Sequence, residues 1–298
     1  MLVGGAPRAR GWAQRPCGGP GRGNAGRYTV RMILASASPA SLSLSVGAAL
    51  AYAVPAAAGQ RLAPSTLRAV LALAWLLHAG IVALGLFAEP PRFGFAPALS
   101  MTTWLVVTVY VIESRLYPNL QARWALAGLG SIAVLLALLF PGAPVHANAS
   151  PWLPLHWALG IASYALFGAA VVHAWLMTRT ERLIRQATDP HAGMPLLTLE
   201  RLTFRFVIAG FLLLSATLLA GWLFGEGLDG RPSPAWRWNH KTVFSLLAWV
   251  VFAVLLLGRA RFGWRGRRAV KMLYAGALLL LLGYAGSRFV LEVVLQRT

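Results

Sequence analysis

Eight long apolar runs with few charges inside them leave this chain one way to fold. They lie near Leu34–Ala57, Thr66–Phe87, Ala96–Ile112, Ala122–Phe140, Leu153–Met177, Phe204–Phe224, Lys241–Leu257 and Val270–Leu295. Each approaches the length an α-helix needs to cross about 30 Å of hydrocarbon. None alternates apolar and polar residues as barrel strands do. Lipid cannot satisfy backbone N–H and C=O groups, so the expected fold class is all-α. The expectation is a polytopic integral membrane protein, a bundle of eight transmembrane helices. Charged residues are only 12% of the 298, about half of what a soluble domain carries, so no sizeable soluble domain is expected.

Lys and Arg divide unequally between alternate connections. Arg61, Arg68, Arg115, Arg123, Arg179, Arg182, Arg185, Arg201, Arg205, Arg259, Arg261, Arg265, Arg267, Arg268 and Lys271 fall on one face. Arg92, Arg231, Arg237, Lys241, Arg288 and Arg297 fall on the other. The positive-inside rule makes the richer face cytoplasmic. The reading is a multi-pass protein of a bacterial inner (cytoplasmic) membrane with both termini outside. The stretch 1–31 opposes it, with six arginines and no acid. Rich in Gly and Pro, it can bury no core and reads as a disordered basic tail. Met32 stands directly before the first run, so the expected working chain is 32–298 and the tail is not translated. A signal peptide competes with a retained first helix, because Ala56–Ala57–Ala58 resembles a small-residue cleavage site. The retained helix is the preferred reading.

A net charge of +19 suggests nucleic acid at first sight. Cytoplasmic loops facing anionic headgroups account for most of it. No soluble domain carries a recognition element, so the lipid bilayer is the expected partner and nucleic acid is not. Cys17 is the only cysteine, which excludes an internal disulfide, thiolate zinc sites and iron–sulfur ligation. The connection Thr178–Thr203 is expected to extend the fifth helix and to break at Asp189–Pro190. Pro195–Arg205 should then lie in the interface as an amphipathic turn. The Glu200 region and the Arg259–Arg268 loop are expected to share the cytoplasmic face as a docking or lipid-binding surface.

Two histidines carry the chemistry. His156 opens the fifth run and His240 the seventh, both at the sparsely basic face. Neutral imidazoles there can ligate a metal or a haem iron. Haem needs axial ligands, an apolar slot and cations for its propionates. Arg231, Arg237, Lys241 and Arg288 are the candidate cations, and Trp152, Trp157, Trp236 and Trp238 the candidate wall. The same tryptophans also read as an ordinary interfacial belt. His78, near the middle of the second run, is either a polar tie between helices or a second ligand. His173 lies about 25 Å deeper than His156 at the helical rise, which makes it an inner packing or hydrogen-bonding residue. His146 and His191 are loop residues. No catalytic residues are expected: Glu113, Glu181, Glu200 and Glu292 sit at helix ends with no carboxylate pair at depth. Ser163 lacks a triad partner and reads as an interhelical tie.

The segments Asn239–Phe252, Gly258–Arg267 and Gly286–Glu292 resemble the YpjD/HemX-type branch of the cytochrome c assembly (CcsA/CcmC-like) membrane proteins. His156 with Ser163-Tyr-Ala-Leu-Phe, and Leu199-Glu-Arg-Leu-Thr-Phe204, fit the same branch. The resemblance runs from about Met32 to the C-terminus. It implies haem moved or held at the outer face for attachment to apocytochrome c, and it makes His156 an outer haem ligand. The family's outer loop reads like W-G-x-x-W-x-W-D-P-K-E-T-W. Here Trp236-Arg-Trp238-Asn239-His240-Lys241-Thr242 takes that place, with Asn239 for Asp and His240 for Pro. His240 as the second ligand is therefore a substitute, not a match to the motif. The expected cofactor is b-type haem bound non-covalently. Expected partners are other cytochrome c assembly or haem-synthesis proteins. Two alternatives stay open: a HemX-like membrane regulator of haem biosynthesis, and a haem-free accessory subunit of a membrane complex.

Overall fold

The structure, a computed structural model, describes residues 39–59, 61–89, 91–116, 123–145, 150–186, 195–224 and 240–286. The readings on the tail 1–31, Met32, His146, His191, Arg231, Trp236, Arg237, Trp238 and Arg288 lie outside the described residues. Among the described residues eight helices follow one another: α1 Pro39–Ala58, α2 Pro64–Leu86, α3 Phe95–Leu116, α4 Arg123–Leu139, α5 Leu153–Arg185, α6 Leu196–Phe224, α7 His240–Phe262 and α8 Gly266–Leu281. A π turn at Leu282–Gly286 continues α8. Among the described residues, α1, α2, α3, α5, α6 and α7 are long and apolar enough to cross a membrane, and α4 supplies a shorter apolar helix, Trp124–Leu139. The chain is an all-α polytopic membrane protein. One two-stranded pairing, Arg92–Phe93 (β1) antiparallel to Ala143–Pro144 (β2), joins the α2–α3 and α4–α5 connections.

The termini of these helices follow from local chemistry. Pro64 opens α2 at a position whose N–H would have no helical partner. Pro55 removes a donor in the last turn of α1, which stops at Ala58. α5 runs 33 residues, about 50 Å at the helical rise, so its last turns, with Arg179, Arg182 and Arg185, outrun the hydrocarbon. The expected extension of the fifth helix is present, but it ends at Arg185, ahead of Asp189–Pro190. The interfacial turn at Pro195–Arg205 is corrected. α6 continues from Leu196 to Phe224 without interruption. No Gly or Pro stands between Leu196 and Arg205, and Leu199, Thr203 and Phe204 are buried against the bundle.

Packing relies on small residues, because lipid gives helices no hydrophobic reason to associate. Ala48, Ala49, Tyr52, Ala74, Val107, Ala127 and Ala165 form one buried cluster across α1–α5. Phe167, Ala170, Val207, Phe252 and Leu273 belong to a second across α5–α8. Leu50, Leu76, Leu219 and Leu257 stand exposed on outward faces, where lipid would cover them. Neutral hydrogen bonds tie the helices together. Ser131 Oγ donates to Ala49 O at 3.0 Å, and Trp249 Nε1 to Ser215 Oγ at 2.8 Å. Ser163 Oγ donates to Gly210 O at 3.0 Å, so Ser163 is the interhelical tie its position suggested.

His78 sits at 0% exposure. Its Nε2 lies 2.8 Å from Ser100 Oγ and its Nδ1 3.4 Å from Tyr52 Oη. Both ring nitrogens are thus engaged, and α1, α2 and α3 meet at this ring. Replacing His78 with leucine would leave two buried hydroxyls without this partner. A loss of about 1–3 kcal/mol is expected, read from denaturation of the solubilised protein.

The α7–α8 connection needs glycine. Gly263 and Gly266 take φ of +62° and +57°. The Trp264 ring folds back on Gly258, where a Cβ would come within 2.3 Å of it. Trp264 N–H also donates to Gly258 O at 3.2 Å.

Candidate functional site

Side chains link α5 to α7 at two levels. Tyr164 hydrogen-bonds Ser245, and the Phe167 ring stacks on Phe252 with centroids 3.8 Å apart. Toward the N-termini, His156 stands about 12 Å beyond Tyr164 and about 16 Å beyond Phe167 at 1.5 Å per residue. His240 stands about 8 Å beyond Ser245 and about 18 Å beyond Phe252 on the same scale. The two histidines therefore sit at the same end of the bundle and at comparable depth.

Their directions differ. At about 100° per residue, His156 lies within about 20° of Phe167 around α5, on the stripe that faces α7. It packs on α6 at Gly221, where a Cβ would stand 3.4 Å from His156 Cε1. His240 lies about 120° from Phe252 around α7, whereas Lys241 lies within about 20° of it. His240 is exposed on the first residue of its helix. Lys241 holds the position facing α5, its ammonium 5.4 Å from the Tyr284 ring centroid.

Tyr284 was not legible as a site residue. The π turn carries it, and Gly283 lets that turn close on α7, since a Cβ there would come within 2.9 Å of Phe244 Cβ. Tyr284 Oη donates to Gly94 O at 3.3 Å, and its ring sits 6.1 Å from that of Tyr164. The available signal was chemical: a phenol in an apolar run needs a hydrogen-bond partner, and Tyr164 and Tyr284 each lie in one. Aromatic surfaces flank His156. Trp152 stacks on Phe224 with centroids 5.2 Å apart. Trp157 stacks on Phe93, held by the β1–β2 pairing, at 3.7 Å.

This donor set fits haem. One half-buried imidazole, an ammonium held at Tyr284 and flat aromatic surfaces share one end of the bundle. Among the described residues no group of three or more His, Cys, Asp or Glu could hold a bare ion. A histidine-only site of this kind suits a metal that brings its own equatorial ligands, as a porphyrin iron does.

At the opposite end, Glu200 of α6 pairs with Arg259 and lies 3.5 Å from Arg265. The Glu200 region and the Arg259–Arg268 loop thus meet on one face, as expected. Arg259 also covers the Phe204 ring at 4.1 Å. Glu113 lies at a helix end as expected, in the last turn of α3, but it is buried there and its carboxylate meets His173 Nε2 at 2.9 Å.

A family model described as Cytochrome C assembly protein matches residues 63–295. The chain belongs to that family. The match begins at the start of α2, so α1 lies outside it. The chain is 31% identical to the inner membrane protein YpjD of Escherichia coli (strain K12) over 203 residues, covering 66% of this chain and 73% of that protein. It is 28% identical over 256 residues to the cytochrome c biogenesis protein CcsA of Synechococcus sp. (strain CC9902), 75% of this chain and 83% of the relative. An uncharacterized 28.8 kDa protein of Azospirillum brasilense is 34% identical over 215 residues, 68% of this chain and 76% of that protein.

Proposed function

We propose that this chain is an eight-span protein of the bacterial inner membrane that holds haem non-covalently near its outer face and serves cytochrome c assembly. The observation that carries this reading is His156. Its half-buried imidazole packs on Gly221 of α6, and Lys241 and Tyr284 lie toward the same end of the bundle. His156 and His240 would hold the haem iron, Lys241 with Arg237 and Arg288 would supply cations for the propionates, and Trp236 and Trp238 would add apolar surface. His78 remains the inner candidate, its ring held by Tyr52 and Ser100. Bound haem would supply a redox-active iron, and the protein's part would be to orient it and exclude water. With Cys17 the only thiol, attachment is through ligation alone. Relatives named for cytochrome c biogenesis support the pathway. The chain acts as a holder or carrier and not as an enzyme.

The orientation puts the His156 end outside and the arginine-rich end inside, following the uneven split of Lys and Arg between the two faces. Reporter fusions after residues 190 and 262 should read cytoplasmic, and one after 230 external; the reverse pattern would contradict this orientation. The haem reading is tested by purification from haem-replete membranes. A Soret band that travels with the protein is expected. A flat Soret region would favour the haem-free accessory role.

A second reading, HemX-like control of haem synthesis through a soluble partner, is favoured by the α7–α8 turn. There Arg261, Phe262, Arg265, Arg267, Arg268 and Lys271 are exposed. Replacing Arg265, Arg267 and Arg268 with glutamine should weaken capture of an acidic soluble partner while leaving membrane insertion intact. Loss of insertion would show that these charges only set topology.

A further inference from the structure

We propose that Glu113 and His173 form a proton-binding site within the membrane domain, separate from the His156 site. Glu113 Oε2 and His173 Nε2 are 2.9 Å apart, in side chains only 9% and 2% exposed. Each group keeps a second buried polar atom, Glu113 Oε1 and His173 Nδ1, with no hydrogen-bond partner among the described residues. His173 lies about 25 Å along α5 from His156 at the helical rise, so the two sites share no ligand.

The other polar contacts of the bundle show why this pair is unusual. Ser131, Ser163 and Trp249 join helices with neutral groups. His78 joins three helices with both ring nitrogens engaged. An ionisable pair is a costly way to make the same join, since buried charge carries a desolvation penalty of several kcal/mol per ion. Ionisable groups in membrane helices usually mark function. The pair at this spacing shares one proton, as carboxylate with imidazolium or as carboxylic acid with imidazole. The two forms interconvert by moving that proton across the contact, with no change in total charge. In both forms Nδ1 carries its hydrogen and can donate to a water, while the open Oε1 is where a further proton can bind.

The surroundings leave the choice of state to the proton. From α6, the Phe206 ring stacks on the imidazole at 5.3 Å, while Arg201 and Arg205 of that helix are exposed. On α3, Tyr110 is buried one turn before Glu113, and Arg115 is exposed. On α5, Arg179 lies over Trp175 at 5.7 Å. α4 brings Leu126 and Ala127 into the same apolar cluster. α8 brings Tyr274, which hydrogen-bonds Thr178. Among the described residues, no ion pair links Glu113 or His173 to a third charge. Glu113 is the more exposed member and lies in the last turn of α3. Protons therefore reach the carboxylate first, from the arginine-rich end, which is cytoplasmic in the orientation proposed above.

The test is an infrared pH titration of the full-length protein in lipid nanodiscs, which needs no haem. Wild type should show a protonated-carboxyl carbonyl band that comes and goes reversibly with pH. Glu113→Gln should lack it. His173→Gln should keep it with a midpoint displaced by at least about tenfold in proton concentration. Glutamine preserves size and hydrogen bonding at both positions, and helix content by circular dichroism confirms folding. If either variant misfolds, wild type alone decides, because imidazole ring modes should titrate together with the carboxyl band. A carboxyl band that never titrates, or one whose midpoint ignores His173→Gln, overturns the proposal. So does a carboxyl titration with no matching imidazole signal.

Discussion

Phe252→Ala is expected to destabilise the bundle by about 3–5 kcal/mol, as the truncation of a fully buried aromatic does. Phe252 is 0% exposed and stacks on Phe167. It also lies against Gly276 of α8, where a Cβ would approach its ring to 2.6 Å. The backbones on both sides come close through glycine, Gly276 here and Gly210 under Phe167, so the rings fill the space between them. Dispersion contacts carry this packing, since lipid supplies no hydrophobic drive between helices. The shift in denaturation midpoint of the solubilised protein measures the loss. Leu257→Ala is the control. Leu257 is 60% exposed, on a face that lipid would cover, and should change stability by no more than about 0.5 kcal/mol. Similar losses for the two would mean that the α5–α7 contact does not hold the helices.

The helices were readable from composition because lipid admits so few solutions. His156 in the first turn of α5 and His240 at the start of α7 stand where the apolar runs began. Their equal depth followed from sequence and is supported by the Tyr164–Ser245 and Phe167–Phe252 contacts. Direction around α7 was not readable in the same way. It depends on which face meets α5, and the Ser245 and Phe252 contacts fix that face and place Lys241 on it. The continuity of α6 was hidden because Glu200, Arg201 and Arg205 look interfacial, although Arg259 neutralises Glu200 from a neighbouring helix. The Glu113–His173 contact joins residues on two helices whose adjacency no local pattern encodes. The π turn and the β1–β2 pairing arise from tertiary fit at Gly283 and Arg92–Phe93, in segments too short to show a period.

The second large effect concerns the proposed haem ligand. Removing the His156 imidazole takes away the half-buried donor that packs on Gly221 of α6, and no other described histidine lies on that stripe of α5. Even outer-shell changes around a metal ligand cost about 10–100-fold in affinity, so loss of the ligand itself should exceed tenfold. His240→Ala should convert a low-spin spectrum without the same loss of retention, because Lys241 and the aromatic surfaces remain. The most direct measurement is the absorption spectrum of the purified wild type beside His156→Ala and His173→Ala, each scored as Soret absorbance per protein. The expected result is a Soret band in wild type and in His173→Ala and its near absence in His156→Ala. An unchanged Soret band in His156→Ala would contradict the account.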